Sequence, residues 1–175
     1  MNQTNQNNDL RVAFMENVAH YQGIIHKLCR LYFRDDPERE DAFQDVLLNA
    51  WKAYPAFAGR SSFPTWLYRV SLNTILMRLR ASKAERRKAR PASEPLFRAE
   101  QEKSKPDGDG RFVLRRAIEA LDESEKAIIL LYLEALSYRD IAEITGLTEN
   151  HIGVKINRIK SKLKTHFGEP ENPHG

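Results

Sequence analysis

The sequence SYRDIAEITGLTENHIGVKINRIKSKLK, residues 137–164, carries the clearest structural pattern in the second half of the chain. Apolar residues recur at spacings of three and four on both sides of Gly146, which predicts two short helices joined by a tight turn. Glycine suits that turn because it adopts positive φ without steric cost. The second helix is expected to bury one apolar stripe, made of Ile152, Ile156, Ile159 and Leu163. The stretch therefore predicts a helix-turn-helix.

The outer face of the second helix is polar and basic, which favours contact with duplex DNA. Such a helix can lie in the major groove with its N-terminal half toward the base edges. Arg158 suits guanine or a phosphate, Asn157 suits adenine, and Lys162 suits the backbone. The candidate duplex-contacting residues are His151, Val154, Lys155, Asn157, Arg158 and Lys162. A plain helical hairpin with a solvated basic face is the alternative.

Gly153 lies inside the second helix, where glycine costs about 1 kcal/mol relative to alanine. Two explanations are open. Either a neighbouring helix approaches the backbone closely at this point, or DNA does.

Capping signals on the N-terminal side of this stretch divide the second half into further helices. Asp122 and Glu125 resemble a capping box, Ser137 and Asp140 give a second start signal, and Thr148 can cap the last helix. Another helix is expected from Phe112 to Leu121. Together these signals predict a helical domain over residues 111–167.

The first half predicts a separate helical domain over residues 12–83. We expect a helix with an interruption near Gly23, a second helix between Pro37 and Pro55, and a third from Phe63 to Ser82. Between the halves, residues 84–110 hold three prolines and two glycines and almost no apolar residues, which predicts a flexible linker that holds the two domains apart. The prediction is an all-α fold of two small helical domains, with disordered tails over residues 1–11 and 168–175.

Composition limits the function classes. The formal net charge is +4 and the sequence pI is about 9.2, and the cations cluster apart from the anions, which favours a polyanionic partner. The sequence has no phosphate-loop motif, and its five histidines have no metal-site spacing. Cys29 is the only cysteine, and no apolar run is long enough for a membrane span. We expect a cytoplasmic protein that is not an enzyme, not an integral membrane protein, and uses neither cofactor nor metal.

Two strings resemble the extracytoplasmic-function sigma factors of the sigma-70 family. REDAFQDVLLNAWKAYPAFAGRSSFPTWLYRVSLNTILMRLR, residues 39–80, is similar to their region two, most tellingly at Ala50-Trp51 and Gly59-Arg60-Ser61-Ser62-Phe63. Residues 117–164 are similar to their region four, and region three is missing, as in this subgroup. The chain departs from the family at Gly153, where relatives usually carry a basic residue early in the last helix.

The resemblance implies a transcription initiation factor that binds core RNA polymerase and recognises minus-ten and minus-thirty-five promoter elements. Its implied partners are the clamp of the largest polymerase subunit, the flap of the second-largest subunit, promoter DNA and an anti-sigma factor. The clamp would be contacted by the second helix through Glu40, Asp41, Gln44, Asp45, Leu48 and Asn49, which are expected to face away from the core. A conventional helix-turn-helix regulator that binds operators without polymerase is the alternative.

The resemblance also implies that a minus-ten base leaves the stack and enters a pocket formed by residues 56–64. Stacking and hydrogen bonds must then offset a cost of a few kcal/mol. The implied minus-ten contacts are Phe57, Arg60, Ser61, Ser62, Phe63, Trp66, Arg69, Asn73 and Arg80. Trp66 also lies on the apolar stripe of the third helix, so we assign it mainly to the core.

Overall fold

The computed structural model describes residues 2–89 and 116–167, and all structural statements refer to these ranges. The first module consists of α1 (Asn2–Tyr32), α2 (Asp36–Ala53), a 3-10 turn (Tyr54–Ala56) and α3 (Phe63–Ala89). The second module has a helical stretch over residues 116–119, then α4 (Glu123–Leu133), α5 (Tyr138–Thr145) and α6 (Glu149–Phe167). The described ranges contain no strand, which confirms the all-α prediction.

The first module is a three-helix bundle in which each helix contacts the other two. Its centre is aliphatic. Ile25 and Leu28 of α1, Val46 of α2, and Leu67 and Ile75 of α3 are all fully buried. Burial of each such side chain stabilises the fold by about 1.5–3 kcal/mol, so the bundle rests on this stripe rather than on helix propensity.

The predicted interruption of α1 near Gly23 is wrong. The helix runs without a break because Phe14 and Val18 before the glycine, and Ile25 and Leu28 after it, are buried along the same helix. Their packing outweighs the cost of about 1 kcal/mol that glycine brings to a helix interior. The helix also begins at Asn2, so the predicted disorder of residues 1–11 is wrong where the structure describes them.

The third helix is longer than predicted and includes residues 84–89 of the predicted linker. These residues are Ala, Glu, Arg and Lys, all strong helix formers, and elongating an existing helix avoids the cost of nucleation. The rest of the predicted linker, residues 90–110, lies outside the described residues, as do the start of the predicted helix from Phe112 and the tail over residues 168–175.

The capping predictions for the second module are confirmed. The Asp122 carboxylate accepts the Glu125 N–H at 2.8 Å, and the Glu125 carboxylate accepts the Asp122 N–H at 3.2 Å, which completes the capping box of α4. The Ser137 hydroxyl accepts the Asp140 N–H at 3.1 Å at the start of α5. Gly146 ends α5 at a φ of 74°, a left-handed conformation that favours glycine.

The two modules contact each other, so the prediction that they are held apart is wrong for this structure. Helix α3 packs against α5, and the buried apolar side chains of both modules form one connected cluster. We call the contacts between the modules the seam. Sequence patterns could not place the modules because the contacts of the seam join residues far apart in the chain.

Gly153 gives a direct test of helix energetics. A Cβ at this position would meet only the Cε2 atom of Tyr138, at an ordinary distance of 3.6 Å, so close approach of a neighbouring helix does not require the glycine. We expect Gly153→Ala to raise the free energy of unfolding by about 1 kcal/mol, measured as a higher midpoint in thermal unfolding.

The matched control is Gly146→Ala, which forces alanine into the left-handed region and should lower the free energy of unfolding by about 1–2 kcal/mol. If both variants shift the midpoint in the same direction, the local conformations described here are wrong.

Candidate nucleic-acid interface

The loop over residues 57–62 joins the 3-10 turn to α3 and is anchored at both ends. The Phe57 N–H donates to the Tyr54 carbonyl at 2.9 Å, and Gly59 has a φ of 66°, which lets the loop turn. At the other end, the Ser62 hydroxyl accepts the Thr65 N–H at 3.3 Å and contacts the Thr65 hydroxyl at 2.8 Å. Ser62 therefore caps α3, a structural role that the sequence prediction did not give it.

An aromatic cluster lies under this loop. The Trp66 ring centroid lies 5.1 Å from that of Phe57 and 5.3 Å from that of Phe63. Trp66 is 5% exposed, which confirms its assignment to the core, and Phe63 is also buried. Phe57 is partly exposed. Of the three predicted aromatic platforms, Phe57 thus offers the accessible ring. Tyr54, which the sequence analysis did not select, contacts all three rings.

A cavity of about 300 Å³ opens beside the loop, and we call it the loop cavity. The predicted residues Phe57, Arg60, Ser61, Trp66 and Arg69 line it. The structure thus brings two exposed guanidinium groups, a serine hydroxyl and an aromatic ring to one concave surface. The guanidinium groups and the hydroxyl can bind an anionic group, and the aromatic ring can stack on a planar ring of the same ligand.

Glu143 of α5 also lines the loop cavity, although it belongs to the second module. No signal in the sequence pointed to it, because its position depends on how the modules pack. Asn73 and Arg80 do not line the loop cavity. They are exposed farther along α3, on the face that also carries Arg69, and Arg80 lies roughly 16 Å from Arg69 along the helix axis.

The second surface is the outer face of α6. Ile152, Ile156 and Ile159 are fully buried, as the apolar stripe predicts, which turns the polar residues outward. A cavity of about 390 Å³, which we call the α6 cavity, is lined by five of the six predicted residues. They are His151, Val154, Lys155, Arg158 and Lys162. Asn157 is exposed but lies outside this lining.

Glu125 lies in the α6 cavity and was missed as a site residue. Its side chain is 11% exposed, and its carboxylate forms an ion pair with Lys162 while also completing the capping box of α4. The sequence marked it only as a cap. The structure adds that a nearly buried carboxylate contacts the Lys162 ammonium and reduces the positive charge that it presents.

The acidic face of α2 is partly engaged by α3, although none of the six predicted residues is buried. Arg78 forms ion pairs with Asp41, at 3.3 Å, and with Asp45. The Asn49 amide donates to the Thr74 hydroxyl at 3.2 Å. Exposed Glu40, Gln44 and Leu48 keep the predicted orientation, and Leu48 is 51% exposed.

Residues 2–89 and 116–167 also allow a search for metal sites and membrane spans. No group of three or more His, Cys, Asp or Glu residues in these ranges could hold a metal ion. In the same part of the chain, no helix is long and apolar enough to cross a membrane. Cys29 is buried, and burial raises the pKa of its thiol to about 11 although Arg78 opposes the shift.

The Cys29 pKa predicts low thiol reactivity. The thiolate is the reactive form, so at pH 8 we expect a disulfide reagent to label the folded chain at least ~100-fold more slowly than the chain in denaturant. The release of coloured thiolate from the reagent measures both rates. Comparable rates would contradict the burial of Cys29.

Comparisons with known proteins match both modules. The Sigma-70 region 2 family model matches residues 18–85, and the Sigma-70, region 4 model matches residues 111–163. The ECF RNA polymerase sigma-E factor of Escherichia coli is 30% identical over 169 residues, with 86% of this chain and 84% of that protein covered.

Two further proteins are similar. The ECF RNA polymerase sigma factor SigG of Mycobacterium tuberculosis is 29% identical over 154 residues, which cover 73% of this chain but 41% of SigG, so the chain spans about two fifths of that relative. A solved structure of the sigma factor RpoE in complex with the anti-sigma factor NepR, from Bartonella quintana, superposes with a TM-score of 0.68 at 21% identity. The superposition covers 89% of this chain and 96% of RpoE, and it shows that the two proteins share a fold.

Proposed function

Because the chain belongs to the extracytoplasmic-function sigma factors of the sigma-70 family, we propose that it binds core RNA polymerase and directs it to specific promoters. The observation that carries this proposal is the pair of basic cavities on two different modules, one beside the loop of the first module and one on α6. A promoter factor needs two such contacts at a distance. RNA synthesis then belongs to the polymerase, which acts in the cytoplasm, and this chain is not an enzyme.

In this proposal the first module captures a base of the minus-ten element in the loop cavity. Phe57 supplies the accessible ring, and Arg60, Ser61 and Arg69 supply donors to the base and its phosphate. The buried Trp66 ring forms part of the cavity wall, and the buried Phe63 ring packs against Trp66. Asn73 and Arg80 contact the backbone farther along α3, and Ser62 acts by fixing the start of α3.

The second module places α6 in the major groove of the minus-thirty-five element. Arg158 lines the α6 cavity and contacts a base edge, while His151, Val154, Lys155 and Asn157 contact the neighbouring bases or phosphates. Lys162 contacts the backbone with reduced charge because of its ion pair with Glu125.

The polymerase contact uses the exposed side of α2. Leu48 offers an exposed apolar contact beside the polar residues Glu40, Gln44, Asp45 and Asn49 of α2. An acidic surface suits the largest-subunit clamp through complementary charge, and Arg78 keeps Asp41 and Asp45 in place for it. The second module would contact the flap of the second-largest subunit.

We also propose an anti-sigma factor as a regulatory partner. A solved structure with the same fold, that of the sigma factor RpoE with the anti-sigma factor NepR, is a complex of this kind. In a second structure with the same fold, CnrH is in complex with the cytosolic domain of CnrY.

The test of the proposed function is transcription with purified core polymerase and a pool of promoter fragments. We expect specific start sites only when the chain is present, and sequencing of the RNA 5′ ends measures them. Binding of a dimer to a palindromic operator in the absence of polymerase, with no specific start, would favour a conventional regulator and overturn the proposal.

Arg158 tests recognition of the duplex element. We expect Arg158→Ala to weaken binding of the full chain to a minus-thirty-five duplex by about 1–3 kcal/mol and to relax sequence preference at one position, because it removes a base contact. Fluorescence anisotropy with a set of single-base variants of the duplex measures both effects. Lys164→Ala is the matched control, because it removes the same charge from an exposed residue of α6 outside the cavity lining.

Arg60 tests capture of the minus-ten base. In the assembled polymerase complex, Arg60→Ala should reduce promoter opening because the extruded base loses a donor, at a cost of about 1–3 kcal/mol. The signal of a fluorescent adenine analogue in the minus-ten element reports the opening. Arg30→Ala, which removes an exposed charge from α1, should open the promoter like the unaltered chain. Equal opening by all three chains would exclude Arg60 from base capture.

A further inference from the structure

Arginines of α3 lie on one line along the outside of the helix. With about 3.6 residues per turn, Arg80 lies about 20° around the helix from Arg69, and Arg87 returns to the direction of Arg69 after about five turns. All three side chains are exposed. Since the helix rises about 1.5 Å per residue, the line from Arg69 to Arg87 is roughly 27 Å long. We call these three residues the arginine stripe.

The arginine stripe keeps its positive charge. Within residues 2–89 and 116–167, no carboxylate forms an ion pair with any of its members, whereas Arg78 and Lys83 of the same helix are both paired with carboxylates. Glu85 is the only acidic residue of α3, and it lies about 160° around the helix from the stripe. Glu143 of α5 lies near the N-terminal end of the stripe, in the lining of the loop cavity. The rest of the stripe faces solvent as an uncompensated row of guanidinium groups.

Core packing does not explain the C-terminal end of α3. Leu79 packs against the core of the bundle, but residues 83–88 are all exposed, so their side chains add no burial to the first module. Cations in the last turn stabilise a helix whichever way they point, because they interact with the negative end of the helix dipole. The dipole therefore accounts for the presence of cations in this turn. It does not account for the alignment of Arg87 with Arg69 and Arg80.

The order of the chain gives the stripe a direction along a promoter. Its N-terminal end, at Arg69, lines the loop cavity, which holds the extruded minus-ten base under the proposed function. Its C-terminal end leads along the chain to the second module, which binds the upstream minus-thirty-five element under the same proposal. The stripe therefore runs from the opened base toward the duplex upstream of it. One DNA strand carries a phosphate about every 3.4 Å along the axis, so roughly 27 Å corresponds to about eight base pairs.

We propose that the arginine stripe binds the phosphate backbone of the duplex between the two promoter elements, with Arg87 as its outermost contact, about eight base pairs upstream of the captured base. The proposal rests on the proposed function for the identity of the DNA. Arg87 lies beyond residue 85, where the match to the region 2 family model ends. Because the ligand is phosphate, the contact adds affinity and fixes the direction of the duplex without reading its sequence.

Forked promoter fragments test the stripe in the complex of the full chain with core polymerase. Each fragment has a single-stranded minus-ten element and an upstream duplex arm of about 3 or about 12 base pairs, and both arms stop short of the minus-thirty-five element. Fluorescence anisotropy measures binding. We expect the longer arm to tighten binding at least about three-fold, and Arg87→Ala to remove most of this gain. Arg86→Ala is the matched control and should keep the gain, because it removes a neighbouring exposed arginine about 100° around the helix from the stripe.

The dependence of binding on salt is the second readout. Each phosphate contact steepens the fall of log affinity with log salt by about 0.9. Between about 50 and 200 mM salt, the unaltered chain should therefore lose about three-fold more affinity for the long-arm fragment than Arg87→Ala loses. Replacing the contacted phosphate by a neutral methylphosphonate should weaken binding of the unaltered chain and of Arg86→Ala. The same replacement should leave Arg87→Ala unchanged, because that contact is already lost.

Equal affinity for the short and long arms, or equal losses for Arg87→Ala and Arg86→Ala, would overturn the proposal. Weaker binding of Arg87→Ala to core polymerase without DNA would also overturn it, because the stripe would then be a polymerase contact. A fragment with a scrambled minus-ten element separates this proposal from the proposed function. If the unaltered chain binds that fragment as well as the intact one, the proposed function fails. If binding depends on the minus-ten bases but not on the arm, only the stripe proposal fails.

Discussion

Burial of the apolar stripe of α3 is the constraint on which the other features depend. Leu67, Leu72 and Ile75 are buried against α1 and α2. This packing fixes the rotation of α3 about its own axis, and so fixes the direction in which its other faces point. An exposed face of α3 carries Arg69 and Arg80, and a different face packs against α5. The first turn of α3 anchors the loop over residues 57–62 through Ser62. A change that rotated α3 would disturb the loop cavity, the basic face and the seam together. The geometry of the candidate site therefore depends directly on the packing of the core.

Carboxylates beside basic groups recur on both candidate surfaces. Glu125 pairs with Lys162 in the α6 cavity, and Glu143 lines the loop cavity with two arginines. Affinity for any phosphate backbone grows with the number of unneutralised cations. Partial neutralisation by the chain's own acids lowers this sequence-independent affinity, so a larger share of the recognition energy falls to the base contacts.

The sequence predicted features that depend on near neighbours in the chain. The isoleucine stripe of α6, the capping box at Asp122 and the left-handed Gly146 each follow from residues a few positions apart, and the structure confirms all three. It did not predict the Glu125–Lys162 pair, the Arg78 pairs or the place of Glu143, because these contacts join residues from different helices. Continuity of α1 through Gly23 was also missed, since tertiary packing decided it against local propensity.

The aromatic cluster has a spectroscopic consequence. Both tryptophans of the chain, Trp51 and Trp66, lie in the first module, and Trp66 forms a wall of the loop cavity. The second module absorbs through its tyrosines, among them Tyr132, whose ring lies 4.3 Å from the Lys160 ammonium. Fluorescence excited at the red edge of the absorption band, where tryptophan absorbs, therefore comes from the first module alone. The tryptophan fluorescence can therefore report the binding of a ligand in the loop cavity without an attached dye.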